Sequence, residues 1–295
     1  MFKNRYIHIH TVVLSLALAT LGALVACSTR TSQKPVITVS IQPQKFLLEQ
    51  IVGDKIDVRC LLANGGNPES YEPSLTHLMN LENSEAYFQI GNIGFESAII
   101  DRIRNNNPKL KIFNTSDSIR LIIGTHGDCS EHGHSHEVDP HTWSSVKNGK
   151  IIAANMYKAM VNMDPANEKI YTRNYNRLAV RLDSLDNKID SLLRDKRGTA
   201  FMVWHPSLSY FARDYGLRQI SIGVEGKEES VQRIQSKIDE AKAMDATVFF
   251  TQKDFDSRQA SVISQETGAD VVAINPLNYD WDKELYGVAV ALAAK

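Results

Sequence analysis

Between residues 171 and 192 an apolar or aromatic side chain recurs at intervals of four and three: Tyr171, Tyr175, Leu178, Leu182, Leu185, Ile189 and Leu192. That spacing puts every member on one face of an α-helix and fits no strand, whose faces alternate every second residue. The segment opens at "MDPANEKIY", where Asp164 is the expected N-cap and Pro165 the first helical residue, and it ends near Gly198. About thirty residues at roughly 1.5 Å each make a rod of about 45 Å. Such a rod can pair with a second copy as a coiled coil, or it can brace two halves of one molecule. The flanking sequence favours the brace.

On both sides, strand-like runs alternate with helical ones. Before the rod come "VITVSI", "IDVRCLL", "AYFQI" and "LKIFNT", interleaved with helices opening at Pro43, over Leu75 to Asn83, over Phe95 to Arg104 and over Lys147 to Asn162. After it come "TAFMVW", "RQISI", "ATVFF" and "ADVVAI", with helices over Pro206 to Tyr215, Ser230 to Ala243, Arg258 to Thr267 and Lys283 to Ala294. This alternation builds βαβ units and parallel sheets. The expected fold is α/β: two lobes, each a parallel sheet flanked by helices, joined by one long rigid interlobe helix. The N-terminal lobe is assigned 35–163, the linking helix 164–197 and the C-terminal lobe 198–295. No internal sequence repeat is evident. Hydrophobic residues are 43% and charged residues 23% of the chain, enough to bury a core, and a monomer is expected. The net charge of -1, with no basic stripe, argues against nucleic acid.

The N-terminus reads as an export signal. Lys3 and Arg5 precede an apolar run from Thr11 to Ala26 that is too short for a membrane span and ends in small residues. Leu24-Val25-Ala26-Cys27 looks like a bacterial lipobox, so residues 1–26 are assigned to a signal peptide and Cys27 to lipidation; an uncleaved anchor is the alternative. Residues 27–34 form a polar tether. The protein is then exported and lipid-anchored to a membrane, facing periplasm or cell exterior. Cys60 and Cys129 remain. Export permits a disulfide, but two cysteines make no framework, and their pairing stays open. Cys60, in a strand-like run, reads as a small buried hydrophobe.

Five of the nine histidines fall within sixteen residues, His126 to His141. His132, His134 and His136 alternate beside Asp128, Cys129, Glu131 and Glu137. The stretch of about 125–138 has little apolar content and reads as a loop whose imidazoles, with Cys129, hold borderline metals such as zinc. His141 stands apart, because Pro140 stiffens its approach and Trp143 can anchor it.

In open parallel sheets, ligands bind beyond the carboxyl ends of strands. That rule selects Glu69 and Glu72 after "IDVRCLL", His205 after "TAFMVW", and Asn275 after "ADVVAI". Residues drawn from both halves would meet in the cleft between lobes. Glu69, His141 and His205 supply one carboxylate and two imidazoles, a set that suits Zn²⁺ and tolerates Mn²⁺ or Fe²⁺, with Asn275, Asp280 or water in a fourth position. His77 reads as a surface or packing residue.

"GGNPESYEPS", "DPHTW", "WHPSLSYFARDYGL" and "TGADVVAINPL", in that order, resemble the metal-binding solute receptors of bacterial zinc and manganese ABC importers, specifically the zinc-uptake, ZnuA-like branch. The resemblance spans about Pro35 to Lys295 and includes the long helix and the histidine-rich loop. It implies a lipoprotein receptor that captures a divalent metal and delivers it to a membrane permease with its cytoplasmic ATPase, with only small tilting of the lobes. His141 and His205 match the family's metal histidines. Two positions depart from its pattern: Glu69 stands where histidine is usual, and Asn275 where aspartate is common. A carboxylate at 69 shifts selectivity toward Mn²⁺ or Fe²⁺, whereas the histidine loop favours zinc.

Two rivals use the same residues. Two histidines, a carboxylate and an open position also describe a zinc-dependent hydrolase, with Glu72 or Asp139 as base. No HExxH motif or Ser/His/Asp arrangement supports an enzyme. A surface adhesin or metal-buffering lipoprotein is the second rival.

Overall fold

The computed structural model describes residues 34–62, 68, 71–124, 137–223, 230–252 and 257–295. Strands β1 (Val36–Val39), β2 (Asp57–Cys60), β3 (Ala86–Gln89) and β4 (Lys111–Asn114) form a parallel sheet in the order β2-β1-β3-β4. A short antiparallel pair follows, β5 (Ile123–Gly124) with β6 (Glu137–Val138). Strands β7 (Ala200–Val203), β8 (Arg218–Ser221), β9 (Val248–Gln252) and β10 (Asp270–Ile274) form a second parallel sheet, ordered β10-β9-β7-β8. In each sheet the first strand sits between the second and the third. The lobes thus share one topology without a sequence repeat. Their strand order reverses between β1 and β3, and between β7 and β9, which are the crevices where parallel sheets receive ligands.

The helices are α1 (Gln42–Val52), α2 (Leu75–Glu82), α3 (Gly94–Asn106), α4 (Val146–Met163), α5 (Glu168–Leu193), α6 (Ser209–Tyr215), α7 (Val231–Ala243), α8 (Ser257–Thr267) and α9 (Trp281–Ala293). Serine hydroxyls cap three of them: Ser74 accepts from His77 N, Ser145 from Lys147 N and Asn148 N, and Ser230 from Arg233 N. The two-residue strands β5 and β6 were not expected, being too short to carry a period. Among the described residues no helix is long and apolar enough to cross a membrane.

The rod is α5, 26 residues long, with a 3-10 turn at each end. Tyr171, Leu178, Leu182 and Ile189 are buried, and Tyr175 and Leu185 half-buried, as the seam requires. The seam ends one residue off, since Leu192 is 37% exposed and Leu193 only 1%. A straight helix falls about 20° behind a seven-residue repeat, so after three repeats the buried face has passed to the next residue. The helix packs on α4, α1 and α9, which makes it a brace. Helix α9 stays against β10 while lying on α5 and α1, and its Trp281, Leu285, Val288 and Leu292 share one continuous core with the first lobe and one face of the second sheet. The other face of the second sheet has its own core, including Met202, Ile220, Ile238, Phe249 and Ile263.

Asp164 stands at the N-cap as expected, with Pro165 opening the 3-10 turn Pro165–Asn167 that leads into the rod, and its carboxylate accepts from Asn167 Nδ2 at 2.7 Å and from the Tyr171 hydroxyl at 2.6 Å. Another helix start differs from expectation. Pro206 does not open a helix. Ser207 N bonds His205 O at 2.7 Å and Leu208 N bonds the Gln219 side chain at 2.8 Å, so α6 begins only at Ser209.

Candidate metal centre

His205 follows β7, beside the crevice where the second sheet's strand order reverses. The β7–β9 ladder runs on through Trp204 N to Phe250 O, 3.0 Å, and Gly223 N closes on Trp204 O, 3.1 Å. The histidine therefore leaves a rigid strand end, half-buried.

His141 arrives from the segment between β6 and α4 and is only 3% exposed. Its backbone N–H and its ring Nδ1 both reach Asp139 Oδ1, each at 2.9 Å. An ionised carboxylate only accepts, so the ring proton sits on Nδ1 and the Nε2 lone pair faces the other way. There it meets His205: the two Nε2 atoms are 3.0 Å apart, and the rings cross at 70° with centroids 4.9 Å apart. Two imidazoles sharing a tetrahedral metal at about 2.0–2.1 Å place their nitrogens roughly 3.3 Å apart. The pair is thus close to the arrangement that one ion would require.

Burial alone would raise the Asp139 carboxyl, but hydrogen bonds from the ring and backbone of His141, with a bond from Ser209, outweigh it and hold the group below its ordinary value. The surrounding segment is pinned from several elements. The Tyr210 hydroxyl donates to Asp139 O at 2.7 Å and accepts from Ile122 N at 3.2 Å, while Asp139 N bonds Ile122 O at 2.9 Å. Ser116 and Thr142 share a hydrogen bond of 2.9 Å, Asn148 Nδ2 donates to Thr142 O at 2.9 Å, and Ser145 donates to Asp214.

The other candidates stand differently. Asn275 is engaged in its own turn, its Oδ1 accepting from Leu277 N at 3.1 Å and its N–H bonding Glu284 at 2.7 Å. The Asp280 side chain is 52% exposed and pairs with Lys283 at 3.1 Å. Among the described residues no group of three His, Cys, Asp or Glu side chains could hold a metal, so His141 and His205 stand as a pair. Glu69, Cys27, and His126, Cys129, His132, His134 and His136 of the histidine-rich loop lie outside the described residues. Glu72 is exposed. Cys60 is half-buried; its thiol is pushed up to about 12 by burial and donates to Leu62 O at 3.2 Å, so it offers no thiolate. His77 packs against Tyr71 and shares a hydrogen bond with its hydroxyl.

Sequence reasoning offered Asp139 only as a possible base and passed over Tyr210. The legible signal for Asp139 was its place two residues before His141, close enough for one carboxylate to reach both the backbone and the ring.

Residues 37–286 match the family described as ZnuA, zinc-uptake complex component A, periplasmic. The chain is similar to a putative metal-binding protein of Chlamydia trachomatis serovar D, 30% identical over 285 residues that cover 95% of this chain and 99% of that one. It is similar in structure to a ZnuA deletion mutant with zinc bound, at 34% identity and a TM-score of 0.79, covering 88% of this chain and 97% of that one. It shares its fold with the SBP FpvC of Pseudomonas aeruginosa in complex with Mn²⁺, at 23% identity and a TM-score of 0.75, covering 89% of this chain and 98% of that one.

Proposed function

The chain belongs to the ZnuA family, whose members are solute-binding receptors and not enzymes, and on that premise we propose that it captures one divalent metal, Zn²⁺, between its lobes and delivers it to an ABC permease. The observation that carries the reading is the His141–His205 pair, two Nε2 atoms 3.0 Å apart with one ring proton committed to Asp139. His141 and His205 are the imidazole ligands and Glu69 the carboxylate, with Asn275, Asp280 or water completing the set. The histidine-rich loop, from His126 to His136 with Cys129, collects metal for the receptor. Cys27 carries the lipid that keeps the receptor, a monomer, at the membrane beside the permease and its cytoplasmic ATPase.

Zinc is supported by the family description and by the zinc-bound ZnuA relative. A second reading, Mn²⁺ or Fe²⁺ as cargo, is favoured by the carboxylate at Glu69 and by the manganese bound to the related fold. Native mass spectrometry under Zn²⁺/Mn²⁺ competition, with and without residues 126–136, separates them. One zinc retained by the shortened protein, and lost in His141→Ala and His205→Ala, is the expected result. Preference for manganese would transfer the assignment to the second reading, and Glu69→His should then restore zinc.

A further inference from the structure

Two indoles tie the turn carrying His141 to the far end of the chain. Trp143 donates its Nε1–H to the carbonyl of Pro276, 3.0 Å away, and Trp281, the first residue of α9, donates its own back to the carbonyl of Trp143 at 2.7 Å. Each side chain is 1% exposed, so water cannot replace either bond. The His141 ring lies against Trp143, centroids 5.2 Å apart.

Trp281 is itself held on several sides. It sits over Gly149 of α4, where a Cβ would lie 2.3 Å from its Cη2 atom; only glycine lets the indole so close. It packs on Phe46 of α1 at 6.4 Å, and the same phenyl ring takes Tyr279 edge-on at 5.8 Å and the Arg181 guanidinium of α5 at 5.2 Å. Arg181 also pairs with Asp282 on α9. Helices α1 and α4 thus meet the indole of α9 directly, α5 reaches it through Phe46 and Asp282, and its N–H ends on a carbonyl two residues from His141.

We propose that Trp143 and Trp281 are positioning residues for the metal: their two indole hydrogen bonds, to Pro276 O and to Trp143 O, hold the His141 turn at its distance from His205 before the ion arrives. The proposal rests on the reading of His141 and His205 as ligands. His205 is placed by the end of a strand, whereas His141 rides on a turn that the indoles join to Pro276 and α9. Partners that orient a ligand without touching the ion are each worth about 10- to 100-fold in metal affinity.

The test uses the full protein with Co²⁺ as a spectroscopic probe and Zn²⁺ for affinity. Trp143→Phe and Trp281→Phe each remove one N–H while keeping an aromatic ring, and Gly149→Ala displaces the Trp281 indole with both N–H groups intact. Zinc affinity should fall by about 10-fold or more in all three, with a shifted Co²⁺ ligand-field spectrum, a signature that loss of packing alone would not produce. Wild-type affinity and an unchanged Co²⁺ spectrum in any variant that folds would overturn the clamp. Failure of the underlying reading looks different: His141→Ala would then leave the wild-type Co²⁺ spectrum intact.

Discussion

One carboxylate oxygen of Asp139 holds His141 twice, accepting from its backbone N–H and from its ring Nδ1–H, both at 2.9 Å. The fork fixes the ring's orientation and the location of its proton together. Asp139→Ala should therefore lower zinc affinity by about 10- to 100-fold, and Asp139→Asn by less, since an amide oxygen can still accept but carries no charge. Chelator competition measures both. Equal loss in the two variants would mean that the charge, and not the geometry, is what matters.

Acid should act on two buried carboxylates in opposite senses. Asp139 is held below its ordinary value, so its contribution to stability is present above the unfolded value of 3.8 and is lost as pH falls through the lower folded one. Glu96 is the reverse. Burial pushes it up to about 7, against hydrogen bonds from Ser40 and the backbone of Ile90, Gly91 and Ile93. Between about 7 and 4.5 the folded chain holds the extra proton, so this group stabilises the fold increasingly as pH falls through that window. Melting curves of metal-free wild type and Glu96→Gln across the window should diverge, with the pH-dependent gain present only in the wild type.

On the rod, Leu178 and Leu182 are 2% and 1% exposed. Alanine at either should cost about 2–5 kcal/mol of stability. Leu192→Ala, at 37% exposure, should cost under about 1 kcal/mol by denaturant unfolding. A large loss at Leu192 would indicate that a second copy or another partner covers that end of the seam.

Tyr210 joins the residue before β5 to the segment that carries His141. Tyr210→Phe strips the donor from Asp139 O and the acceptor from Ile122 N. The expected cost is about 1–3 kcal/mol, with faster hydrogen exchange at the Ile122 amide. Unchanged exchange there would show that Ile122 N finds another acceptor.

Periodicity and strand-end placement read directly from the chain, because both are local. The spacing from Tyr171 to Leu192 settles a helix, and the alternation on either side settles parallel sheets, since neighbouring residues alone decide which face each side chain takes. His205 was legible as the residue just past an apolar strand, and His141 as the histidine after a stiffening proline. Tertiary structure decided the rest. It brought His141 within 3.0 Å of His205 across 64 residues of sequence, committed Asn275 and Asp280 to turn and surface partners, gave both lobes the same strand order, and carried α9 over to the rod and α1. Each outcome depends on how separately formed elements pack, and a packing partner far along the chain leaves no period in the sequence that would announce it.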